Sequence, residues 1–207
     1  MNCFNSETYL SDSIESVLSQ TYQNWELIFW DNKSTDSSAS IFKSFTDKRL
    51  KYFYAKKHTT LGEARNKALE KVTGKFVAFL DCDDLWLERK LEKQLQYFKG
   101  NVGIVICDTL FFNENGVIKQ LYKKKKPPTG YIFNNLLQDY FISLETVIVQ
   151  LSIIKKLKYL FDPDFELIEE YDFFIRLSKL CELAYVDEAL SKWRVHDQSL
   201  TWKMSER

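Results

Sequence analysis

The chain has 207 residues, and 29 Lys and Arg are balanced by 29 Asp and Glu, so its formal net charge is zero. This length fits a single domain, and balanced charge with 45% hydrophobic residues argues against an intrinsically disordered chain. The balance also disfavours a dedicated nucleic-acid binder, which carries a surplus of basic residues, so we expect no nucleic-acid partner.

The expected location follows from the cysteines and the hydropathy. The four cysteines have no metal-binding spacing and indicate reduced thiols. No apolar run reaches the roughly 18 residues that a membrane span needs. We therefore expect a cytoplasmic protein, either free or held peripherally at the inner face of the plasma membrane.

The first half of the chain alternates predicted helices and strands. In chain order we predict a helix over 10–18, a strand over 25–30, a helix around 41–45, a strand over 50–54, a helix over 61–72, a strand over 75–80, a helix over 87–98 and a strand over 102–107. This alternation is typical of the α/β class, with a mostly parallel, Rossmann-like sheet and helices on both faces.

Beyond residue 108 the regular alternation of predicted helices and strands ends. We predict a hairpin around Asn115-Gly116, a basic loop over 123–126, a short helix over 131–137, a strand over 145–150, a long helix over 168–180, a strand over 183–186 and an extended tail. We interpret 1–207 as one domain, in which 1–108 is the first half and 109–207 is a smaller α+β half.

Two predicted strands end in acidic clusters, Asp31-Asn32-Lys33-Ser34-Thr35-Asp36 and Asp81-Cys82-Asp83-Asp84. Ligands of open parallel sheets bind at the carboxyl ends of the strands, so both clusters are candidate binding sites. Clustered carboxylates favour Mg²⁺ or Mn²⁺, and Mg²⁺ is usually shared between carboxylates and substrate phosphates. The alternative for each cluster is a solvated turn that caps the following helix.

Three other features carry both a functional and a structural interpretation. Glu169-Glu170 begins a predicted helix, and the structural interpretation is that acids at this end complement the helix dipole. The functional interpretation is that adjacent carboxylates raise one another's pKa, as a general base requires. His196 is a candidate ligand or an ordinary structural residue. The lysines of 123–126 form a solvated loop or attract the chain to an anionic membrane surface.

Taken together, these segments resemble glycosyltransferase family 2, the inverting enzymes with the nucleotide-sugar-binding A-type fold. The resemblance rests on Asn2-Cys3-Phe4-Asn5, on the cluster from Asp31 to Asp36, on Gly62-Glu63-Ala64-Arg65-Asn66, on Leu80-Asp81-Cys82-Asp83-Asp84, on Glu169-Glu170-Tyr171-Asp172 and on His196 to Ser199. Their order and spacing cover nearly the whole chain, which makes the combination more specific than any single motif.

The resemblance implies a set of site residues. Nucleotide-sugar binding is implied for Asn2, Phe4, Asn5, Asp31, Asn32, Ser34, Arg65 and Asp81; metal binding for Asp83, Asp81 and His196; and catalysis for Glu170 with Glu169 and Asp172. The implied cofactor is Mn²⁺ or Mg²⁺. The implied reaction transfers a sugar with inversion from a nucleotide-diphosphate sugar, a UDP-sugar by preference, to a hydroxyl of a saccharide or lipid-linked saccharide. Such a reaction belongs to the synthesis of bacterial surface polysaccharide or lipopolysaccharide.

The sequence departs from the family pattern at three places. Asn32 stands where the family usually has a second Asp, and Glu170 replaces the commoner Asp. The sequence starts inside the opening motif, so we expect the first strand to be lacking. An inactive, truncated remnant that binds nucleotide or sugar is therefore one alternative. A haloacid-dehalogenase-type phosphatase is another, although its Asp-x-Asp motif belongs on an early strand.

Overall fold

The computed structural model describes residues 1–165 and 168–197. Within these ranges the helices are α1 (Leu10–Leu18), α2 (Ser38–Ser44), α3 (Leu61–Leu69), α4 (Lys90–Leu95), α5 (Phe133–Gln138), α6 (Leu151–Ile154) and α7 (Glu169–Ser178), with a 3₁₀ turn at Leu144–Thr146. The strands are β1 (Asn2–Cys3), β2 (Leu27–Asp31), β3 (Leu50–Tyr54), β4 (Phe76–Ala78), β5 (Leu85–Trp86), β6 (Val102–Asn113), β7 (Gly116–Gln120), β8 (Ile148–Gln150) and β9 (Glu182–Arg194). The predicted α/β class is confirmed.

The strands form two sheets rather than one. The first has the order β1-β2-β3, and all of its pairings are parallel. The second has the order β4-β8-β6-β9-β5, with β7 paired to β6, and only its β6–β9 pairing is parallel. The parallel arrangement expected from the sequence therefore holds for the first sheet. The predicted strands over 75–80 and 102–107 instead join the second sheet, where β4 and β6 each pair antiparallel with β8. The two-residue turn between β6 and β7 can join only antiparallel strands.

Several predicted boundaries differ from the observed ones. A short first strand is present, because Asn2 and Cys3 pair with Trp30 and Asp31 of β2. The helix predicted from residue 87 begins at Lys90, because the two residues of β5 pair with β9 instead. β9 extends to Arg194, well beyond the predicted end, because it follows the long β6 strand as its neighbour. Pairing with strands that are distant in the sequence therefore determines where these elements begin and end.

The core is divided in the same way as the sheets. In the larger of the buried hydrophobic clusters, α7 packs on the second sheet through Phe173 and Leu177, which are both fully buried. In the first half α1 inserts Leu10 and Ile14 beneath the first sheet. Its buried Ser13 hydroxyl donates to the carbonyl oxygens of Cys82 and Asp84, each at 2.8 Å. Helix α1 therefore fixes the loop that follows β4.

No helix in the described ranges is long and apolar enough to cross a lipid bilayer.

Gly103 in β6 is a site where the packing forbids a side chain. A Cβ atom built there would lie 2.6 Å from both Cβ and Sγ of Cys181. We predict that Gly103→Ala lowers the free energy of unfolding by about 1–3 kcal/mol, the usual cost of overpacking, as measured by urea denaturation. Gly74→Ala is the matched control, because its Cβ would approach only the Phe76 carbonyl at 3.4 Å. Equal stability of the two variants would contradict the close packing.

Candidate active site

The polar loop after β2 is held together by its own side chains. Asp31 is fully buried, accepts from the Ser34 amide at 2.7 Å through Oδ1 and accepts from the Tyr52 hydroxyl at 2.7 Å through Oδ2. Desolvation and this contact with Asp31 raise the pKa of Tyr52. Asn32 donates to the Thr59 carbonyl at 2.8 Å and accepts from the Thr59 hydroxyl at 3.1 Å. Both predicted base-binding side chains therefore also shape the loop.

The segment that follows β1 lies beside this loop. Asn5 has a positive φ of 51°, and its side-chain oxygen accepts from the Thr35 amide at 2.8 Å. The Asn5 amide donates to the Ser34 hydroxyl at 3.0 Å. Phe4 is 48% exposed, and its ring centroid lies 4.1 Å from that of His58. An exposed pair of aromatic rings beside polar main-chain groups is suited to a planar base.

Asn2 contacts the second acidic cluster from the end of β1. Its carbonyl oxygen accepts from the Cys82 thiol at 3.2 Å. Its side-chain nitrogen is buried and has no hydrogen-bond partner among the described residues. The next residue, Cys3, accepts from the Asn32 amide at 2.7 Å through its carbonyl oxygen, so β1 joins the two acidic clusters.

Arg194, at the end of β9, binds the cluster Asp81 to Asp84. The Arg194 guanidinium donates to the Asp83 carbonyl through Nε at 2.9 Å and to Asp12 through Nη2 at 3.0 Å. The Arg194 amide donates to the buried Asp84 carboxyl at 2.9 Å. Desolvation and the nearby Glu145 raise the pKa of Asp84 well above its usual range. The third acid of the motif is therefore a structural group that favours its neutral form.

Asp83 and His196 form a pair that fits a divalent cation. Asp83 Oδ2 lies 3.0 Å from His196 Nε2, and the two side chains are 33% and 16% exposed. About 3.0 Å is also the separation of adjacent ligands around an octahedral ion with bonds of about 2.1 Å. The oxygen and imidazole ligands suit Mg²⁺ or Mn²⁺ when phosphate and water complete the shell. Within residues 1–165 and 168–197, however, no three His, Cys, Asp or Glu side chains converge as a metal cluster.

Arg65 of α3 joins three of the predicted acids. The helix begins with Thr60, whose hydroxyl accepts from the Glu63 amide, so its first turn is fixed at the cleft. The Arg65 guanidinium contacts Glu169 Oε1 at 2.5 Å, Glu170 Oε2 at 3.8 Å and Asp81 Oδ1 at 3.9 Å. Arg65 and Glu169 are 5% and 2% exposed. A single buried cation therefore stands between the acidic loop after β4 and the start of α7.

Glu170 is the acid of α7 that combines accessibility with a raised pKa. Its side chain is 25% exposed, and the Tyr140 hydroxyl donates to its Oε1 at 3.3 Å. Desolvation raises the pKa of Glu170 to about 7, an effect that Arg65 opposes and that Asp81 and Glu169 reinforce. Such a carboxylate is able to take up a proton near neutral pH.

The two other acids predicted for catalysis are engaged elsewhere. Glu169 is bound by Arg65 as described, and its second oxygen is buried without a partner among the described residues. Asp172 accepts from Arg176 Nε at 2.9 Å, one turn further along α7. Arg176 also donates to the Tyr159 and Leu160 carbonyls, so this ion pair connects α7 with the preceding loop.

The structure places the predicted residues at the ends of β1, β2, β4 and β9, on α3 and at the start of α7, except that Asp172 pairs with Arg176 away from the other acids. Four further residues contact the site or its loops. They are Tyr140, His58, Arg194 and Glu145, the last of which lies beside the buried Asp84 of the second acidic cluster. No local signal marks Tyr140 or His58, whereas Arg194 stands two residues before His196. Ser199, predicted as part of the His196 segment, lies outside the described residues. The roles given to all these residues stay predictions.

Comparisons with known proteins identify the family of the chain. The family described as glycosyl transferase family 2 matches residues 1–155. The chain therefore belongs to glycosyl transferase family 2. It is 32% identical over 181 residues to the UDP-Glc:alpha-D-GlcNAc-diphosphoundecaprenol beta-1,3-glucosyltransferase WfgD of Escherichia coli, an alignment that covers 87% of this chain and 68% of WfgD.

Solved structures share the fold at lower sequence identity. The S. aureus TarS 1-349 structure in complex with UDP-GlcNAc has a TM-score of 0.80 at 21% identity, covering 96% of this chain and 58% of that one. The mannosyltransferase PcManGT of Pyrobaculum calidifontis, in complex with GDP-Man and Mn²⁺, has a TM-score of 0.72 at 17% identity, covering 99% and 59%. The chain thus spans about three fifths of the length of these structures.

The Arg65–Glu169 pair yields a test of stability. We predict that Arg65→Met lowers the free energy of unfolding by about 3–5 kcal/mol, because it leaves a buried carboxylate without its counter-charge. The double variant Arg65→Met/Glu169→Leu should recover most of that loss, since no buried charge remains. Urea denaturation of both variants is the measurement, with the exposed Lys67→Met as the control. A double variant no more stable than the single one would show that the pair is not the cause.

Proposed function

We propose that the protein transfers a glycosyl group from a UDP-sugar to a hydroxyl group of a saccharide or lipid-linked saccharide, with inversion at the anomeric carbon. The observation that carries this proposal is the position of Arg65, whose guanidinium lies within 4 Å of Asp81, Glu169 and Glu170. The proposed donor-side acid Asp81 and the candidate base Glu170 thus approach different nitrogens of one guanidinium. The names of WfgD and of the TarS complex support a UDP-sugar as the donor class.

On the donor side, the residues after β1 and β2 would hold the nucleotide. Phe4 and His58 offer ring surfaces for the base, and Asn5 and Ser34 fix the loop beside them. Asp83, with His196 and Asp81, would hold Mn²⁺ or Mg²⁺ against the diphosphate. When bound, the ion neutralises negative charge that grows on the leaving nucleoside diphosphate.

On the acceptor side, Glu170 would act as the general base. Its raised pKa and its partial exposure let it receive the proton of the attacking hydroxyl while Tyr140 orients the carboxylate. The hydroxyl oxygen forms the new bond to the anomeric carbon as the bond to the phosphate oxygen breaks. A single displacement of this kind inverts the configuration and needs no covalent sugar–enzyme intermediate.

The proposed cation site predicts the behaviour of Asp83→Ala. Loss of one carboxylate ligand should abolish the Mn²⁺-dependent part of UDP binding, because the two phosphates lose a shared cation. Isothermal titration with UDP, in the presence and absence of Mn²⁺, measures this difference. Asp187→Ala is the matched control, because within the described residues Asp187 forms a surface pair with Lys126 and a contact with Tyr185. Unchanged Mn²⁺-dependent affinity of Asp83→Ala would contradict the assignment.

The proposed base predicts the behaviour of Glu170→Gln. The amide keeps the size and polarity of the side chain but cannot accept the proton, so kcat should fall by about 10²–10⁴ while UDP binding persists. In the unchanged protein, kcat should rise about tenfold per pH unit below about 7 and level off above it, because only the ionised form of Glu170 acts. The pH dependence should disappear in the variant.

Three comparison variants make this test specific. Glu114→Gln, in the exposed hairpin turn, controls for the loss of one charge. Glu169→Gln and Asp172→Asn should lower stability more than the chemical step, because Arg65 and Arg176 lose their partners. If either of these two loses kcat while Glu170→Gln turns over normally, the base is that neighbour.

A further inference from the structure

Three segments of the second half of the chain carry lysines but no acids. They are 121–131, 151–161 and 176–181, which together contain nine Lys and Arg and no Asp or Glu. Because the whole chain is neutral, the rest of it holds nine more acidic residues than Lys and Arg. The cations are the four lysines of 123–126, then Lys155, Lys156, Lys158, Arg176 and Lys179.

The first of these segments lies against the end of α7. The Gly130 amide donates to the Leu183 carbonyl and the Leu183 amide donates to the Gly130 carbonyl, both at 2.8 Å, so this segment follows the start of β9. Lys179, directly after α7, places its Nζ 4.3 Å from the centre of the Phe133 ring at the start of α5. The chain from 130 to 133 is therefore bordered by the residues that join α7 to β9.

The second segment also packs along α7. Arg176 donates to the Tyr159 carbonyl at 2.6 Å, and its guanidinium carbon lies 4.0 Å from the centre of the Tyr159 ring. Helix α6 adjoins the end of α7, because a Cβ atom at Gly103 would lie 2.6 Å from Cys181 Cβ and 3.0 Å from Ile153 Cγ1. The three segments therefore form one region, which we call the basic face.

The basic face exposes apolar surface as well as charge. All eight of its lysines are exposed, and Lys126 is the only one paired with an acid of the described residues. Each of the three segments also exposes one large apolar side chain. These are Tyr131 at 61%, Tyr159 at 46% and Leu180 at 41%. The face therefore combines positive charge with three separate apolar anchors.

This combination fits the surface of an anionic lipid bilayer. Clustered lysines are attracted to the negative potential of such a surface, and Tyr and Leu side chains enter its interfacial layer. Interfaces between proteins are instead depleted in Lys. A nucleic acid is disfavoured by the neutral charge of the whole chain.

We propose that the basic face is the docking surface for an anionic phospholipid bilayer, with its lysines at the lipid phosphates and Tyr131, Tyr159 and Leu180 in the interfacial layer. Helix α7 leads from this face to the candidate base, because Lys179 follows Glu170 along the helix by nine positions. That separation is about 14 Å at ~1.5 Å per residue. It suits the hydroxyl of a lipid-linked saccharide that projects from the bilayer, a point that rests on the proposed function.

Co-sedimentation of the 207-residue chain with vesicles tests the docking surface. One set of vesicles is phosphatidylcholine alone, and the other contains about a third phosphatidylglycerol, which supplies negative charge. The chain should bind the second set and not the first. Raising the salt concentration from ~0.1 M to ~1 M should weaken this binding, because the Debye length falls from about 10 Å to about 3 Å.

A triple variant takes one lysine from each segment. Lys124→Gln/Lys156→Gln/Lys179→Gln should weaken binding to the anionic vesicles on the order of a hundredfold, because each lysine near such a surface contributes about a factor of five. All three side chains are exposed, so the urea midpoint should stay at that of the unchanged chain.

The matched control removes the same charge elsewhere. Lys48→Gln/Lys56→Gln/Lys71→Gln changes three exposed lysines of the first half of the chain and should leave vesicle binding close to that of the unchanged chain.

A second pair of variants tests the apolar anchors. Tyr131→Ser/Leu180→Ser should weaken vesicle binding at both salt concentrations, because salt does not screen the burial of apolar surface. Tyr54→Ser/Tyr97→Ser, at side chains that are 51% and 42% exposed outside the basic face, should not.

Four outcomes would overturn the proposal. They are absence of vesicle binding by the unchanged chain, equal affinity for the two vesicle compositions, and equal losses from the two triple variants. The fourth is binding of duplex DNA as tightly as anionic vesicles with no effect of Tyr131→Ser/Leu180→Ser, which would assign the face to nucleic acid. None of these readouts involves sugar transfer, so failure of the docking surface and failure of the proposed reaction are distinguishable.

Discussion

The contact on which the rest of the site depends is the buried ion pair between Arg65 and Glu169. These residues are 104 positions apart and belong to different halves of the chain. A buried charge is tolerated only when it is compensated, so the pair forces the start of α7 to lie against α3. Asp81 and Glu170 lie within 4 Å of the same guanidinium. Its positive charge therefore compensates both the acidic loop after β4 and the acidic start of α7.

A second constraint acts on the opposite side of the same loop. Ser13 of α1 and Arg194 at the end of β9 bind the main chain of 82–84 from two directions. These contacts use carbonyl groups, so they fix the loop while leaving the Asp83 carboxylate to face His196. The loop is therefore shaped by residues from both ends of the chain, and its acids are held close together although they repel one another.

The sequence predicts some elements of the first half closely, where local patterns dominate. The strand over 50–54 and the helix over 10–18 are observed at their predicted bounds, since apolar spacing and turn residues mark both. The position of β5 and the length of β9 could not be predicted, because they depend on pairing between segments about a hundred residues apart. For the same reason the sequence suggests the acids of the site but not Tyr140, which reaches Glu170 only through the packing of Tyr140 on Tyr171.

The neighbouring acids Glu169 and Glu170 show how one helix start places two carboxylates in different surroundings. Adjacent positions on a helix point about 100° apart, so the two carboxylates face different surroundings. Glu169 turns inward, is almost completely buried and neutralises Arg65, which makes it part of the scaffold. Glu170 turns toward the cleft, keeps a quarter of its surface exposed and contacts Arg65 only at 3.8 Å. Because Glu169 already occupies the guanidinium, Arg65 lowers the proton affinity of Glu170 only in part, and desolvation leaves its pKa at about 7. The order of the two acids along the chain thus separates the carboxylate that neutralises Arg65 from the partly exposed carboxylate whose pKa is raised.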